Sequence, residues 1–430
     1  MLLRVQRNSF DYFMHEIDRD NGLVLDKTSA NWPASIAAMG MALTAYPVGV
    51  VRNFITRAEA STLTLTMLRF LARSEQSEAA DATGHRGFYY HFLHMDTGRR
   101  AWQCELSSMD TALLIAGVLA AATFFDGANG DEAEIRALGR MLHERVDWEW
   151  MLAGSGLVCH GWLPESGFLS YHWEGYDEAL ILYLLALGSP THPIPPECYD
   201  NWCKAYAWKK VYGIEYLYAG PLFTHQLSHI WCDFRGIRDA FMRAHDSDYF
   251  ENSRRATQVQ QQYAIANPLA YEHVGATCWG TTASDGPGFA TRKVDGILRV
   301  FFDYVARGAP YGPDDGTLAP WAVAASLPFA PEIVLPTLEN FARLPVHTPT
   351  PYGFKASINP AYRVHGDDGI GWVSPYHFGI NEGPTVLMIE NFRTGMIWSL
   401  MQRCGPLAAG LRAAGFEGGW LDRAGPGPRS

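Results

Sequence analysis

Apolar residues recur along the whole chain at the spacing that is typical of amphipathic α-helices. The pattern predicts a first helix that carries Phe10 and Met14. A second runs from residue 36 and is expected to end at Pro47, because proline lacks the N–H that a helix interior needs. Segments 108–125 and 174–187 are apolar on almost every side, which indicates buried helices. The remaining expected helices cover residues 58–73, 132–146, 196–210, 221–244, 249–266, 318–326, 331–343 and 384–402.

Strand signals are few, and the clearest predicts a short hairpin over residues 88–95. No linker rich in Pro, Gly or Ser divides the chain. Roughly twelve helices in one run favour a single all-α domain, built as an (α/α)6 toroid of six helical hairpins with a cleft at one face. A two-lobed helical bundle is the alternative. We expect the domain to cover residues 1–418 and residues 419–430 to form a flexible tail.

Aromatic residues make up 13% of the 430 residues, and the 14 tryptophans are the unusual part. Such rings fill protein cores, but sugar-binding clefts also place them against the apolar faces of pyranose rings. The formal net charge of −11 repels a phosphate backbone, so nucleic acid is not an expected partner.

The seven cysteines contain no Cys-x-x-Cys pair, and their odd number argues against a disulfide framework or a zinc knuckle. Because no secretory signal is visible, we expect a cytoplasmic protein, or a periplasmic one if a leader has been removed. The longest apolar stretches, near 37–51 and 111–125, are too short to span a bilayer, so membrane insertion is not expected. The sequence gives no indication of the oligomeric state.

The strongest chemical signal is a set of carboxylates at the start of the predicted helix 174–187. Glu174 and Glu178 are spaced to share one helical face, next to Tyr176 and ahead of a long apolar run. A glutamate in such a desolvated place has a raised pKa, which suits a general acid. The alternative is that acids in a first helical turn only favour the helix dipole, and that alternative explains Glu174 better than Glu178.

A second carboxylate, Asp110, opens the predicted helix 108–125, with Glu105 just before it. Asp110 is either a first-turn acid behind a serine cap or a group of the cleft. Two carboxyl groups beside a glycosidic bond are the minimum for hydrolysis, since one protonates the leaving oxygen and the other activates water or attacks the anomeric carbon. The distance between them, which separates inverting from retaining enzymes, cannot be read from the sequence.

The segment 221–235 combines polar and aromatic side chains. His225 and His229 have the spacing of a zincin helix, but Gln226 stands where that motif has its general-base glutamate. We therefore expect no metal site. The favoured interpretation is that the segment contacts sugar hydroxyls, and the alternative is that its polar groups are buried and hydrogen-bonded. The candidate binding residues are His225, Gln226, His229, Trp231 and Arg235.

Two turn-rich loops, 278–288 and 311–317, add Trp279, Asp285 and Asp315 as candidate binding residues, although turn chemistry by itself explains their composition. No phosphate-binding loop, dinucleotide fingerprint or Gly-x-Ser-x-Gly elbow is present in the sequence. No cofactor is expected.

Several longer stretches resemble one known family. They include 34–49, 87–92, 109–117, 146–148, 187–193, 248–257 and 388–395. The chain is similar to the glucoamylase-like domain family, whose members include bacterial endo-β-1,2-glucanases and an exo-acting relative that releases sophorose. The resemblance implies an (α/α)6 barrel and anomer-inverting hydrolysis of β-1,2-glucan. It assigns the general acid to Glu178 and places Asp110 in the cleft, where we expect it to activate water or relay its proton.

One position departs from the family pattern, because His94 stands where an acid is expected after the Tyr-His-Phe run. Our first hypothesis is an endo-acting β-1,2-glucanase that acts on a β-glucan substrate. An exo-acting enzyme that releases sophorose, a non-catalytic carbohydrate-binding protein and a metalloenzyme that uses His225 and His229 are the alternatives.

Overall fold

A computed structural model describes residues 1–294, 296–348, 350–363 and 371–423. Most of its regular structure is helical. The α-helices are α1 Leu2–His15, α2 Ile36–Val51, α3 Arg57–Arg73, α4 Ser108–Phe124, α5 Gly130–Glu144, α6 Leu180–Leu187, α7 Glu197–Cys203, α8 Ala240–Ala244, α9 Tyr249–Ala266, α10 Pro320–Ala325, α11 Pro331–Phe341, α12 Gly379–Thr394, α13 Met396–Met401, α14 Gly405–Ala413 and α15 Gly419–Arg423. Short 3-10 helices cover Trp150–Leu152, Leu222–His225 and Leu227–Ile230.

The strands are short and antiparallel, and they lie in the connections between helices. They are β1 Ala34–Ser35, β2 Gly84–His85, β3 Phe88–Tyr89, β4 Phe92–Leu93, β5 Leu106–Ser107, β6 Gly161–Leu163, β7 Gly167–Phe168, β8 Trp208–Val211, β9 Ile214–Leu217, β10 Ala283–Ser284, β11 Ala290–Val294, β12 Ile297–Phe301, β13 Val305–Ala306, β14 His347–Thr348, β15 Gly353–Phe354, β16 Ile358–Asn359 and β17 Trp372–Val373. The predicted hairpin over 88–95 is divided between two pairs, since β3 joins β2 and β4 joins β1.

The most buried helices pack against one another. Helix α2 packs against α4 and α12, and α4 packs against α6. The 3-10 helix Leu227–Ile230 contacts α6 and α12, and α10 contacts α12. We call α2, α4, α6, α10 and α12 the inner helices. The largest of three hydrophobic clusters includes residues from Val5 to Leu421 and connects these helices.

A second set of helices covers the inner ones. Helix α1 packs on α12, α3 on α2, α5 on α4, α14 on α6 and α11 on α10, while α9 packs on the 3-10 helix 222–225. Each inner segment therefore has an outer partner. This arrangement explains the sequence pattern, because an inner helix such as α4 is apolar on almost every side, whereas an outer helix such as α5 is apolar on one face only.

The close contact between α2 and α4 depends on two glycines. A Cβ on Gly117 would lie 2.1 Å from the carbonyl oxygen of Gly40, and a Cβ on Gly40 would lie 2.3 Å from that of Leu113. Such distances leave no room for a side chain, so these helices touch backbone to backbone.

Several predicted helices have different limits in the structure. Helix α2 continues through Pro47 to Val51, because proline removes a single helical hydrogen bond and the surrounding core holds the last turn in place. The predicted helix 384–402 is two helices, α12 and α13, separated by Gly395 in the left-handed conformation. The predicted helix 196–210 ends at Cys203, and strand β8 follows it.

Two corrections bear on the candidate site. The apolar helix expected over 174–187 begins only at Leu180, after a turn in which Gly175 has a φ of +82°. The segment 221–244 is not one helix, because its carbonyl groups accept hydrogen bonds from other parts of the chain. Ser253 donates to the carbonyl of His225, and Trp398 donates to that of His229. Such side-chain donors replace the hydrogen bonds of a continuous helix.

Residues 419–423 of the predicted flexible tail form helix α15. Helix α15 buries Trp420 and Leu421, and the Trp420 indole donates a 2.7 Å hydrogen bond to the carbonyl of Asp233. Residues 424–430 of the predicted tail lie outside the described residues. All seven cysteines are free thiols. None of the helices in the described ranges combines the length and the hydropathy needed to cross a bilayer.

Candidate active site

The N-terminal ends of α2 and α4 are held together by the backbone of His91. Its N–H donates to the carbonyl of Glu105 at 3.0 Å, and its carbonyl accepts from Ile36 at 3.3 Å. Serine caps start both helices, since Ser35 accepts from the third residue of α2 and Ser107 from that of α4. Polar side chains just before or within the first turns of these helices therefore share one end of the fold.

Asp110 lies in the first turn of α4, as the sequence predicts. The Ser107 hydroxyl accepts from the Asp110 backbone N–H at 3.1 Å and donates to Asp110 Oδ2 at 2.5 Å. The cap thus does two things, because it starts the helix and fixes one oxygen of the carboxylate. Asp110 is thus both an acid in the first turn of α4 and a residue that lines the cleft.

Glu178 lies in the turn before α6. Ser228 connects this turn to the fold, because its hydroxyl accepts from the backbone N–H of Ile181 at 3.0 Å and donates to the carbonyl of Glu178 at 3.4 Å. Burial, followed by the charges of Asp110 and Asp177, raises the pKa of Glu178 to about 8. At neutral pH this carboxyl keeps its proton, as a general acid must.

A cleft with about 930 Å³ of empty space opens beside Asp110. Its lining combines carboxylates, one lysine, one histidine and several aromatic rings. The lining residues are Asp26, Lys27, Trp32, Ser35, His91, Phe92, Asp110, Asp285, Phe289, Asp303, Tyr304, Phe378 and Ile380. Such a combination suits an uncharged, polyhydroxylated ligand, because rings pack on its apolar faces and carboxylates accept from its hydroxyl groups.

Tyr304, from the loop after β12, also lines this cleft. Burial raises the pKa of Tyr304, and the charges of Asp26, Glu178, Asp110 and Asp285 raise it further. Three of these four carboxyl groups, Asp26, Asp110 and Asp285, line the cleft together with Tyr304, and the fourth, Glu178, acts electrostatically on the same tyrosine. This result connects Glu178 to the cleft that Asp110 lines.

Two other carboxyl groups of the cleft have raised pKa values. For Asp26, burial is the main cause, and a 2.9 Å hydrogen bond from the Trp32 indole opposes it. For Asp285, burial again raises the pKa, while Ser374 donates to its Oδ2 at 2.7 Å. Asp285 thus belongs to the cleft, as predicted, while Asp26 is an addition.

Lys27 also lines the cleft. Its ammonium group lies over the rings of Trp32, Tyr376 and Phe378 at 4.2, 4.4 and 5.1 Å from their centroids. Cation–π attraction holds the ammonium group among these rings. Lys27 also lowers the pKa of the neighbouring carboxyl of Asp26.

His91 lies between two carboxylates. Its Nδ1 is 2.9 Å from Glu105 Oε1, and its Nε2 is 3.6 Å from Asp110 Oδ2. Burial would lower the pKa of His91, but Asp110, Glu105 and Asp26 together raise it to about 9. Burial likewise would raise the pKa of Glu105, yet the hydrogen bond and the charge of His91 bring it below its usual value. The imidazole is therefore protonated at neutral pH.

Four of the predicted binding residues are buried away from the cleft. His225 contacts the carbonyl of Ala219 and has a pKa that burial lowers to about 4, and the pKa of His229 is lowered by burial to about 3. Gln226 donates to the carbonyl of Ala322, and Trp231 donates to Thr44. These contacts favour the alternative given above, in which the polar groups of 221–231 hold the fold together.

The remaining predicted residues also have structural partners. Arg235 makes two hydrogen bonds to Asp233, and Trp279 is buried, at 1% exposure. The Tyr176 ring packs against those of Tyr206, His225 and Tyr249. Glu174 is exposed in the turn before Gly175 and does not share a helical face with Glu178, because no helix exists there.

Asp315 has a role that its sequence context conceals. Its carboxylate binds Arg307, and Arg307 donates to the carbonyls of Ser284, Phe302 and Asp303. The pair therefore anchors the loop that carries Asp303 and Tyr304 into the cleft. Asp315 therefore affects the shape of the cleft through Arg307 and does not line it.

The sequence interpretation missed several residues of the cleft. No local signal marked Asp26, which lies ten residues ahead of the start of α2, whereas Asp110 lies in the first turn of α4. His91 lies inside the resembling stretch 87–92. Asp303 and Tyr304 follow a surface hairpin, and no local pattern distinguishes them from other loop residues.

A metal site is not found among the residues that the structure describes, because no three His, Cys, Asp or Glu side chains gather there as a metal ion requires. His225 and His229 lie on successive 3-10 helices, so the helical spacing that suggested a zincin pair does not occur.

Known proteins of similar sequence and structure act on β-1,2-glucans. The chain is 27% identical, over 93% of its length, to the exo beta-1,2-glucooligosaccharide sophorohydrolase (non-reducing end) of Parabacteroides distasonis, and it spans 56% of that relative's length. A β-1,2-glucanase structure from the same species has a TM-score of 0.83 at 26% identity and covers 96% of this chain, which covers 60% of that protein.

The family assignment rests on a longer match. The glycoamylase family model, described as "Putative glucoamylase", matches residues 170–405, which is more than half of the chain. A Bacteroides uniformis structure described in the same words has a TM-score of 0.86 at 28% identity and covers 98% of both chains. The resemblance seen in the sequence is thereby confirmed, and the chain belongs to the glycoamylase family.

Proposed function

We propose that this protein hydrolyses β-1,2-glucan, with Glu178 as the general acid and Asp110 as the group that activates water. The observation that carries this proposal is a buried, protonated Glu178 beside the cleft that a second carboxyl group, Asp110, lines. Glu178 has a pKa of about 8 and keeps its proton, while Asp110 faces the positively charged His91. One group can give a proton and the other can receive one.

The reaction needs both groups in the same step. Glu178 transfers its proton to the glycosidic oxygen as the bond to the anomeric carbon breaks. A water molecule attacks that carbon from the opposite face and gives its proton to Asp110. The proton balance is restored when solvent removes the proton from Asp110 and returns one to Glu178. This sequence inverts the anomeric configuration, as the family resemblance implies.

The scaffold that we propose for this chemistry is an (α/α)6 barrel. Five inner helices and the 3-10 segment 222–230 supply six inner elements, and each has an outer partner. The first turns of the inner helices would then face one end of the barrel, where the cleft lies. A single domain from residue 1 to 418 is consistent with the large hydrophobic cluster that connects these helices.

The substrate class comes from the relatives. The Parabacteroides distasonis sophorohydrolase and the β-1,2-glucanase of that species act on this linkage by their names. Endo action is our first hypothesis. Exo action with release of sophorose is the second, and the 27% identity to the sophorohydrolase favours it.

The decisive experiment incubates linear β-1,2-glucan with the wild type and with Glu178→Gln, and separates the products by size. A mixed series of β-1,2-glucooligosaccharides from the wild type indicates endo action, and sophorose alone indicates exo action. Glu178→Gln should release neither. Release from another β-glucan but none from β-1,2-glucan would contradict the substrate, and release from no glucan would favour the non-catalytic, carbohydrate-binding alternative.

A further inference from the structure

Glu105, His91 and Asp110 form a continuous chain of three side chains. The two imidazole nitrogens face different carboxylates, with Glu105 Oε1 at 2.9 Å from Nδ1 and Asp110 Oδ2 at 3.6 Å from Nε2. The ring itself is fixed from the side, because it stacks on Phe92 at 4.0 Å between centroids and 9° between planes. These three side chains therefore have fixed relative positions and do not touch only by chance.

The backbone adds to this rigidity. His91 is hydrogen-bonded to Glu105 on one side and to Ile36 on the other, so its Cα is fixed between the starts of α2 and α4. Ser107 fixes Asp110 Oδ2 at the same time. Positions of this kind, held by main chain, ring stacking and hydrogen bonds together, are what precise catalysis requires.

We propose that His91 is a positioning residue for hydrolysis: its imidazole, held by Glu105 through Nδ1, faces Asp110 with Nε2 and orients that carboxyl group to receive the proton of the attacking water. This inference rests on the proposed function. His91 does not exchange its own proton during the reaction. Its imidazolium charge attracts the carboxyl groups of Glu105 and Asp110, which face the two ring nitrogens.

The charged and titratable groups around His91 come from five parts of the chain. They are Asp26 and Lys27 ahead of β1, Glu105 and Asp110 at the start of α4, Arg100 behind Glu105, Glu178 ahead of α6, and Tyr304 of the loop after β12. His91 lowers the pKa of Glu178 through its charge. Removing that charge should therefore move the pKa of Glu178 upward.

The test replaces His91 by asparagine, which keeps a donor for Glu105, and by glutamine, which keeps a donor for Asp110. Both variants lose the charge. We expect kcat on β-1,2-glucan to fall roughly a hundredfold with little change in KM, and the basic limb of the pH profile of kcat to move to higher pH. The matched control is His192→Gln, because His192 also faces a carboxylate, Asp147 at 3.8 Å, on an exposed part of the surface.

A second measurement does not depend on activity. NMR titration of the wild type should find His91 protonated up to about pH 9, and in Glu105→Gln its pKa should fall. A His91 that titrates as an ordinary imidazole would overturn the proposal, as would His91 variants with unchanged pH limbs. If the wild type releases no sugar from β-1,2-glucan, the proposed function is wrong. The NMR titration still decides, in that case, whether His91 is protonated between Glu105 and Asp110.

Discussion

Asp315 binds Arg307 through two hydrogen bonds, of 2.8 and 3.0 Å, and neither side chain has any exposed surface. The loop 302–307 depends on this pair, since Arg307 also holds the carbonyls of Phe302 and Asp303. The position of Tyr304 in the cleft thus follows from an ion pair that no substrate touches.

Asp315→Asn should destabilise the protein by about 3–5 kcal/mol, because it leaves the Arg307 guanidinium buried without its counter-charge. Urea unfolding measures this free energy. Glu134→Gln is the control, since it breaks the exposed pair between Arg69 and Glu134, for which a loss of at most about 1 kcal/mol is expected. An equal, small effect of both substitutions would contradict the anchoring role of Asp315.

The rate of glucan hydrolysis should fall as the pH rises through about 8, where Glu178 loses its proton. The reason is that only the protonated carboxyl can act as a general acid. A pH profile of kcat for the wild type measures this limb. A profile that stays flat to pH 10 would mean that another group donates the proton.

Glu178→Gln should make the folded state more stable at high pH while it abolishes activity. The folded-state pKa of Glu178 is about 8, against 4.5 for an unperturbed glutamate. A carboxyl with a raised pKa costs stability above its folded pKa and costs nothing below its unfolded value. The gain should therefore grow between pH 4.5 and 8 and reach a few kcal/mol, roughly, near pH 9.

Chemical unfolding at several pH values checks this expectation. Glu134→Gln again serves as the control, because an exposed glutamate should give no such pH dependence. A Glu178→Gln variant that is less stable than the wild type at every pH would indicate that the carboxylate is held by favourable contacts, which is the opposite of a strained catalytic acid.

Gly117→Ala should destabilise the protein by about 3 kcal/mol or more, since its Cβ would lie 2.1 Å from the carbonyl oxygen of Gly40. Gly130→Ala, in the first turn of α5, is the control, because a Cβ there meets nothing within 4 Å. Thermal unfolding of the two variants measures the difference. If both were tolerated equally, α2 and α4 would have to be further apart than described.

Incubation with a chelator should leave the activity unchanged. The two histidines of the metalloenzyme alternative bind protein groups instead, with His225 Nε2 at 3.2 Å from the carbonyl of Ala219 and His229 Nε2 at 3.0 Å from the Ser253 hydroxyl. Loss of hydrolysis with EDTA, followed by recovery on addition of a metal ion, would contradict this expectation and revive the metal hypothesis.

The candidate acids could be found from the sequence because burial and charge conflict locally. Asp110 and Glu178 both precede long apolar runs. Burying a carboxyl group costs free energy unless the group is paired or hydrogen-bonded, so an acid at such a position is a candidate functional residue. The interpretation of His225 and His229 as binding residues was misleading, because a polar side chain in an apolar segment can either contact a ligand or form a buried hydrogen bond. Only their partners, which lie far away in the sequence, distinguish a buried hydrogen bond from a ligand contact.

The sequence by itself determined the helical character of the protein and the difference between helices that are apolar on most sides and helices that are apolar on one, and it singled out Asp110, Glu178 and Asp285 as candidate carboxyl groups of the cleft. These properties depend on periodicity and on neighbours within one or two helical turns. Tertiary structure alone decided that Asp26, His91, Asp110, Glu178 and Tyr304 meet around one cleft. Their meeting depends on contacts between segments that are far apart in the chain, such as the anchoring of Arg307 by Asp315, and no local pattern encodes those distances.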